Sequence, residues 1–200
     1  MDDFDDDSGI VFRDVTLVLL FGFMAIVLML LPFFNLRTES DREANAADPG
    51  NVVIEMIWPA NMDADVDLWV RAPGDLPVGY SNKGSAIVNL LRDDLGHYND
   101  LTDINYEVTY SRGIVAGEWI VNVHAFRTDP NNPPPIPVSV VISIKKPTDD
   151  RPNQVYEKEV VLHRLGQELT AVRFKLTSEG ELVRGSINDL QYSLIFETHE

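Results

Sequence analysis

From Val15 to Leu31 the chain reads VTLVLLFGFMAIVLMLL, with Thr16 and Gly22 the only residues that are not strongly apolar, and Pro32, Phe33 and Phe34 extend it. A hydrocarbon core about 30 Å thick needs roughly 20 residues at about 1.5 Å each. A buried helix of a soluble domain seldom stays apolar on every face. Residues 14–35 are therefore expected to form one transmembrane helix. A cleaved signal peptide is the main rival, since Ala44, Asn45 and Ala46 imitate a small-residue cleavage pattern. Such a peptide wants a basic leader, a short apolar stretch and a cleavage site directly after it. Here the leader is MDDFDDD, the apolar run is long, and Arg37, Glu39, Asp41, Arg42 and Glu43 intervene. Charge decides orientation only weakly: Arg13 on one side against Arg37 and Arg42 on the other leans toward an outside N-terminus.

The rest of the chain divides by composition. Residues 1–13 form an acidic tail with little apolar surface to bury, expected to be disordered and to favour solubility. Residues 36–51 are polar and rich in helix formers until Asp48, Pro49 and Gly50, and read as a linker or a short plug helix. Beyond Gly50 come short β-like runs separated by turn residues. They fall at 52–58, 65–71, 86–91, 104–110, 118–126, 138–144, 155–163, 170–176 and 190–196. In the fifth, Trp119, Val121, Val123 and Ala125 make one apolar face, with Ile120, Asn122, His124 and Phe126 opposite. The proline-rich segment Asp129 to Pro137 is expected to be a stiff exposed loop. Eight or nine such strands, with no long amphipathic helix among them, predict an all-β domain over residues 52–198, an antiparallel β-sandwich of jelly-roll-like type.

Composition narrows the function classes. The formal net charge of -16 repels phosphate backbones, so nucleic acid is not an expected partner. With no cysteine, disulfides, thiolate metal sites and thiol nucleophiles are excluded. His97, His124, His163 and His199 show no zinc spacing, and no serine nucleophile motif or phosphate-binding glycine loop is present, so no enzyme is expected. Trp58, Trp69 and Trp119 all sit in strand candidates, which favours core packing over a sugar-stacking platform.

Asp14 stands at the start of the apolar run. At about 100° per residue it shares a helix face with Leu17, Val18, Phe21, Ala25, Leu28 and Pro32, with Gly22 at the edge. Small residues let membrane helices approach closely, and a carboxylate in such a place faces protein or water. Two readings stay open: an N-cap serving the first turn, or an ion-carrying carboxylate that is neutral when protonated. The stretch Arg13-Asp-Val-Thr-Leu-Val-Leu-Leu-Phe-Gly-Phe-Met24 resembles the transmembrane signature of the ExbD, TolR and MotB family. That resemblance covers about a dozen residues. It implies a bacterial inner-membrane protein with its N-terminus in the cytoplasm and its C-terminal domain in the periplasm. It further implies a homodimer of this helix inside a pentameric ring of a multi-span MotA-, TolQ- or ExbB-like partner. Asp14 then takes the place of the aspartate that carries protons or sodium ions. The part after Gly50 does not look like the periplasmic domains of that family. The alternative expectation is a passive membrane-anchored module that binds a protein, glycan or cell-wall partner.

Asp63, Asp65 and Asp67, in NMDADVDLWV, suggest a calcium ladder, with Asp75, Asp93 or Asp94 as extra ligands. The spacing lacks the glycine and distant glutamate of an EF-hand, because Leu68 and Ala72 occupy those positions. On a strand the three aspartates would share a solvated face, with Val66, Leu68 and Val70 turned inward. The segment DVDLWVRAPGD followed by GYSN is also similar to an uncharacterised class of bacterial extracytoplasmic β-sandwich domains, a likeness that supplies a fold and no activity.

Overall fold

The computed structural model describes residues 4–30, 51–96, 104–131 and 133–195. It divides into two compact units, Met1–Asn45 and Ala46–Glu200. The first contains one helix, α1, over Phe4–Leu30. It starts ten residues before the expected membrane segment, so residues 4–13 are helical where a disordered tail was expected. The segment Phe12–Met29 is long and apolar enough to cross a membrane, and none of it is buried. From Phe12 to Met29 every side chain is exposed, apolar ones included. Pro32 and the linker lie outside the described residues.

The second unit is all β, and every pairing in it is antiparallel. Its strands are β1 (Val52–Ile57), β2 (Ala64–Arg71), β3 (Val88–Arg92), β4 (Tyr106–Ser111), β5 (Gly117–Thr128), β6 (Ile136–Ile144), β7 (Asn153–Leu162) and β8 (Glu168–Leu176). They form a five-stranded sheet in the order β3-β4-β1-β6-β7 and a three-stranded sheet in the order β2-β5-β8. The two share one apolar core. Ile54 and Met56 of β1 and Val138, Val140 and Ile142 of β6 meet Val66, Leu68 and Val70 of β2, Trp119, Val121 and Val123 of β5, and Phe174 of β8. The period-2 alternation places these residues inward, including the expected faces of β2 and β5. Trp58, Trp69 and Trp119 are all buried.

Two expectations are corrected. Ile136 and Pro137 belong to β6 rather than to an exposed loop, and Ile136 is fully buried. Pro137 is tolerated because β1 pairs with β6 only from Ser139 onward, leaving no neighbour on that side to miss a donor. The expected ninth strand is not one. After an isolated bridge from Asn188 to Arg173, the described residues 190–195 leave the sheet edge and cross the outer face of the three-stranded sheet. There Leu194 packs on Trp69 and Ile120. Side chains replace ladder bonds along this segment. Tyr192 N donates to Thr170 Oγ1 at 2.9 Å, Leu194 N donates to Glu168 Oε1 at 2.7 Å, and Asn122 Nδ2 donates to Tyr192 O at 2.6 Å. The Tyr192 ring lies under the Arg71 guanidinium, 4.6 Å from its centroid.

The two sheets are tied at their edges by charged side chains. Glu107 of β4 accepts the Leu68 N–H of β2 at 2.7 Å. On the other side, Lys158 of β7 donates to the Ala171 carbonyl of β8 at 3.1 Å. An edge strand with open backbone groups invites pairing with another chain, and both contacts close such groups. Farther along the β2 edge, Val78 exchanges two backbone bonds with Val70 at 2.8 and 2.9 Å.

Candidate functional site

Three carboxylates converge where the β2 edge meets the β3-β4 hairpin. Asp67 comes from β2, Asp93 follows β3, and Glu107 comes from β4. One oxygen of each lies within 4.8 Å of the others. The local fold dictates this meeting. Glu107 pairs with Met56, which faces the core, so its side chain must point into the inter-sheet space rather than to solvent. It is only 1% exposed. It reaches the rim of that space, where Oε2 accepts Leu68 N and Oε1 accepts Asp94 N at 3.2 Å.

Asp65 and Asp67 are not solvated as expected; they are 4% and 3% exposed. The strand alternation holds, but the outer face of β2 is covered as well. Asp67 Oδ2 is bonded to His124 Nδ1 at 2.8 Å. Asp93 Oδ2 meets Lys83 Nζ at 2.7 Å, while its Oδ1 is buried without a hydrogen-bond partner. Asp65 Oδ1 is likewise buried and unpartnered. Asp94 holds the turn: Arg92 approaches its Oδ2 at 2.9 Å, and Oδ1 accepts Gly96 N at 3.0 Å.

Burial and mutual repulsion raise the pKa values of these carboxyl groups. Burial, then the neighbouring Asp67 charge, push Asp65 up to about 7, with Arg127 pulling the other way. Burial also raises Asp67, against the pull of the His124 hydrogen bond. Glu107 is held well above the usual carboxylate range by burial, although the Leu68 N–H opposes the shift. The group offers oxygen donors, the set that hard divalent cations such as calcium take.

Of the three aspartates expected to form a ladder, the structure brings only Asp67 into this cluster. Asp65 stands two residues before it on the same face, and Asp63 is instead held by Arg127 at 3.0 Å. Asp93, named as an extra ligand, is present. Asp75 is elsewhere, accepting from Ser85 Oγ and from Ile87 N at 2.9 Å. Glu107 was missed, and the pattern INYEVTY hides it. Alternation there offers the Tyr106, Val108 and Tyr110 face as the apolar one, yet Glu107, Thr109 and Ser111 point inward. His97 and His199 lie outside the described residues.

Asp14 lies in the first unit, at the N-terminal end of the apolar segment Phe12–Met29. Because α1 begins at Phe4, Asp14 is inside the helix and cannot be its N-cap. Its side chain is exposed, as are Leu17, Val18, Phe21, Ala25 and Leu28 on the same face. A Cβ added at Gly22 would meet nothing within 4 Å.

A hollow of about 420 Å³ opens beside Trp58, lined by Ile57, Pro59, Ile104, Asn105, Pro137 and Glu159. Ile57 and Ile104 are 45% and 57% exposed at its rim. Compared with known families, curated proteins and solved structures, the chain matches none.

Proposed function

We propose that this is a single-span membrane protein whose β domain, an antiparallel sandwich, works outside the cytoplasm as a binding module for a protein, glycan or cell-wall partner. The carrying observation is the division of labour in the chain. An apolar helix with no buried side chain from Phe12 to Met29 is joined in sequence to a β unit with its own complete core. Such a helix is stable in lipid, where its backbone bonds are satisfied internally and its side chains meet acyl chains. The hollow beside Trp58 supports the binding role, being concave and largely apolar with a few polar groups.

A second reading rests on Asp14. A carboxylate at the centre of an apolar span costs about 2.5–3.5 kcal/mol against lipid and less toward the ends, and within a span it normally faces protein or water. In this reading α1 forms a dimer within a pentameric multi-span partner, and Asp14 carries protons or sodium ions to drive the β domain. Each charge crossing the membrane supplies about 2.3 kcal/mol per 100 mV. The resemblance around Arg13 to Met24 supports the same reading.

Asp14→Asn separates the two, because asparagine keeps the size while losing the titratable group. In membranes containing the chain and its co-isolated partners, a passive anchor predicts unchanged assembly and no change in proton or sodium flux. An ion carrier predicts assembly retained and flux lost at equal membrane abundance. Wild-type flux in the asparagine variant removes the motor reading and leaves the binding module.

A further inference from the structure

We infer that Asp67, Asp93 and Glu107, with Asp65 beside them, form a binding site for a hard divalent cation of the calcium class. The inference is independent of how the β domain is used and of Asp14. Its first support is geometric: three carboxylates from three separate elements bring oxygens within 4.8 Å of one another. Oxygens that close can share one cation, whose bonds to oxygen run about 2.3–2.6 Å for calcium. Calcium tolerates irregular coordination by carboxylates from separate elements, whereas magnesium demands a near-ideal octahedron with bonds of about 2.0–2.1 Å.

The second support is the pair of orphaned oxygens. Asp65 is 4% exposed, and its Oδ1 has no hydrogen-bond partner; Asp93 Oδ1 is buried and unpartnered too. Buried carboxylate oxygens without donors are costly, and native structures keep them where a proton or a bound cation neutralises the group. Asp65 and Asp67 leave β2 on one side, so the orphaned side chain stands next to the cluster. The Asp67, Asp93 and Asp94 charges all act on it. Protein cations offset only part of this group. Lys83 serves Asp93, His124 bonds Asp67, Arg92 serves Asp94, and Arg127, paired with Asp63, also acts on Asp65, which leaves Glu107 without a cationic partner among these.

The site has a structural consequence. The cluster joins β2 of one sheet to β4 and the β3-β4 hairpin of the other, so a bound cation clamps the two sheets along one edge.

The test is calcium titration of the full chain in detergent, after treatment with a chelator and its removal. Binding heat and thermal unfolding are followed with calcium and with magnesium. The expected result is saturable binding of calcium near one ion per chain, with a rise in Tm that magnesium reproduces only weakly. Asp93→Asn, on the rim, lowers the affinity at least tenfold and abolishes most of the Tm rise. Glu107→Gln does the same, and if it fails to fold, Asp93→Asn alone decides. Asp189→Asn, an exposed acid paired with Lys158, leaves both unchanged. Absence of calcium binding in the unmutated chain, or wild-type binding in Asp93→Asn, overturns the site.

Discussion

Gly79 lies flat against the indole of Trp69, and an added Cβ would come within 2.6 Å of Cε2. The next residue, Tyr80, meets the same indole edge-on with centroids 5.5 Å apart. This contact explains why the DVDLWVRAPGD segment is followed by GYSN: the loop after β2 folds back and needs a residue without a side chain where it crosses Trp69. Trp69 is fully buried and cannot retreat. Gly79→Ala is therefore expected to destabilise the β domain by about 1–3 kcal/mol, the usual cost of forcing a methyl into a packed site. Urea unfolding followed by tryptophan fluorescence checks this, and an unchanged midpoint would show the loop free to move away. Asp14 stands inside α1 because the helix begins at Phe4, whereas from the residues alone a cap was the favoured reading and the ion carrier rested on the resemblance.

Among the elements, eight of the nine strand candidates form strands, because alternation and turn residues agree along each of them. The candidate at 190–196 fails for a physical reason. Asn122, Glu168 and Thr170 offer its backbone hydrogen bonds from side chains, and Leu194 gains a pocket on the outer face that a strand in the sheet would not reach. Glu168 is the hub of that arrangement, accepting from Asn122 Nδ2 and Ser193 Oγ, each at 2.6 Å, and from Leu194 N. Glu168→Ala is expected to cost about 2 kcal/mol, the worth of hydrogen bonds to a charged group. Amide exchange should speed up at residues 190–195 while β1 and β6 stay protected; uniform protection would mean the segment is held by Leu194 alone. The β4 strand shows the limit of pattern reading from the other side. Its outward Tyr106 and Tyr110 look like core residues, whereas the inward Glu107, Thr109 and Ser111 look solvated. Their roles are set by partners far away in sequence: Leu68 N bonds to Glu107, and Val52 N donates to Ser111 Oγ at 2.8 Å. The acidic site was legible in its β2 and Asp93 parts, where aspartates crowd together, and invisible at Glu107.

For the whole molecule, an apolar helix fit to cross a membrane precedes a β domain, and the proposed arrangement puts that domain outside the cytoplasm. The apolar run was readable because about 20 residues apolar on every face suit a span better than the surface of a soluble domain, while its orientation was not, since Arg13 stands against only Arg37 and Arg42 across it. Protease accessibility in sealed right-side-out vesicles, using the full chain with a tag at each end, tests the arrangement. External protease should remove the C-terminal tag and leave the N-terminal tag protected on a small membrane-bound fragment. A protected C-terminal tag, or a chain that has already lost its N-terminal tag before protease is added, would contradict the account.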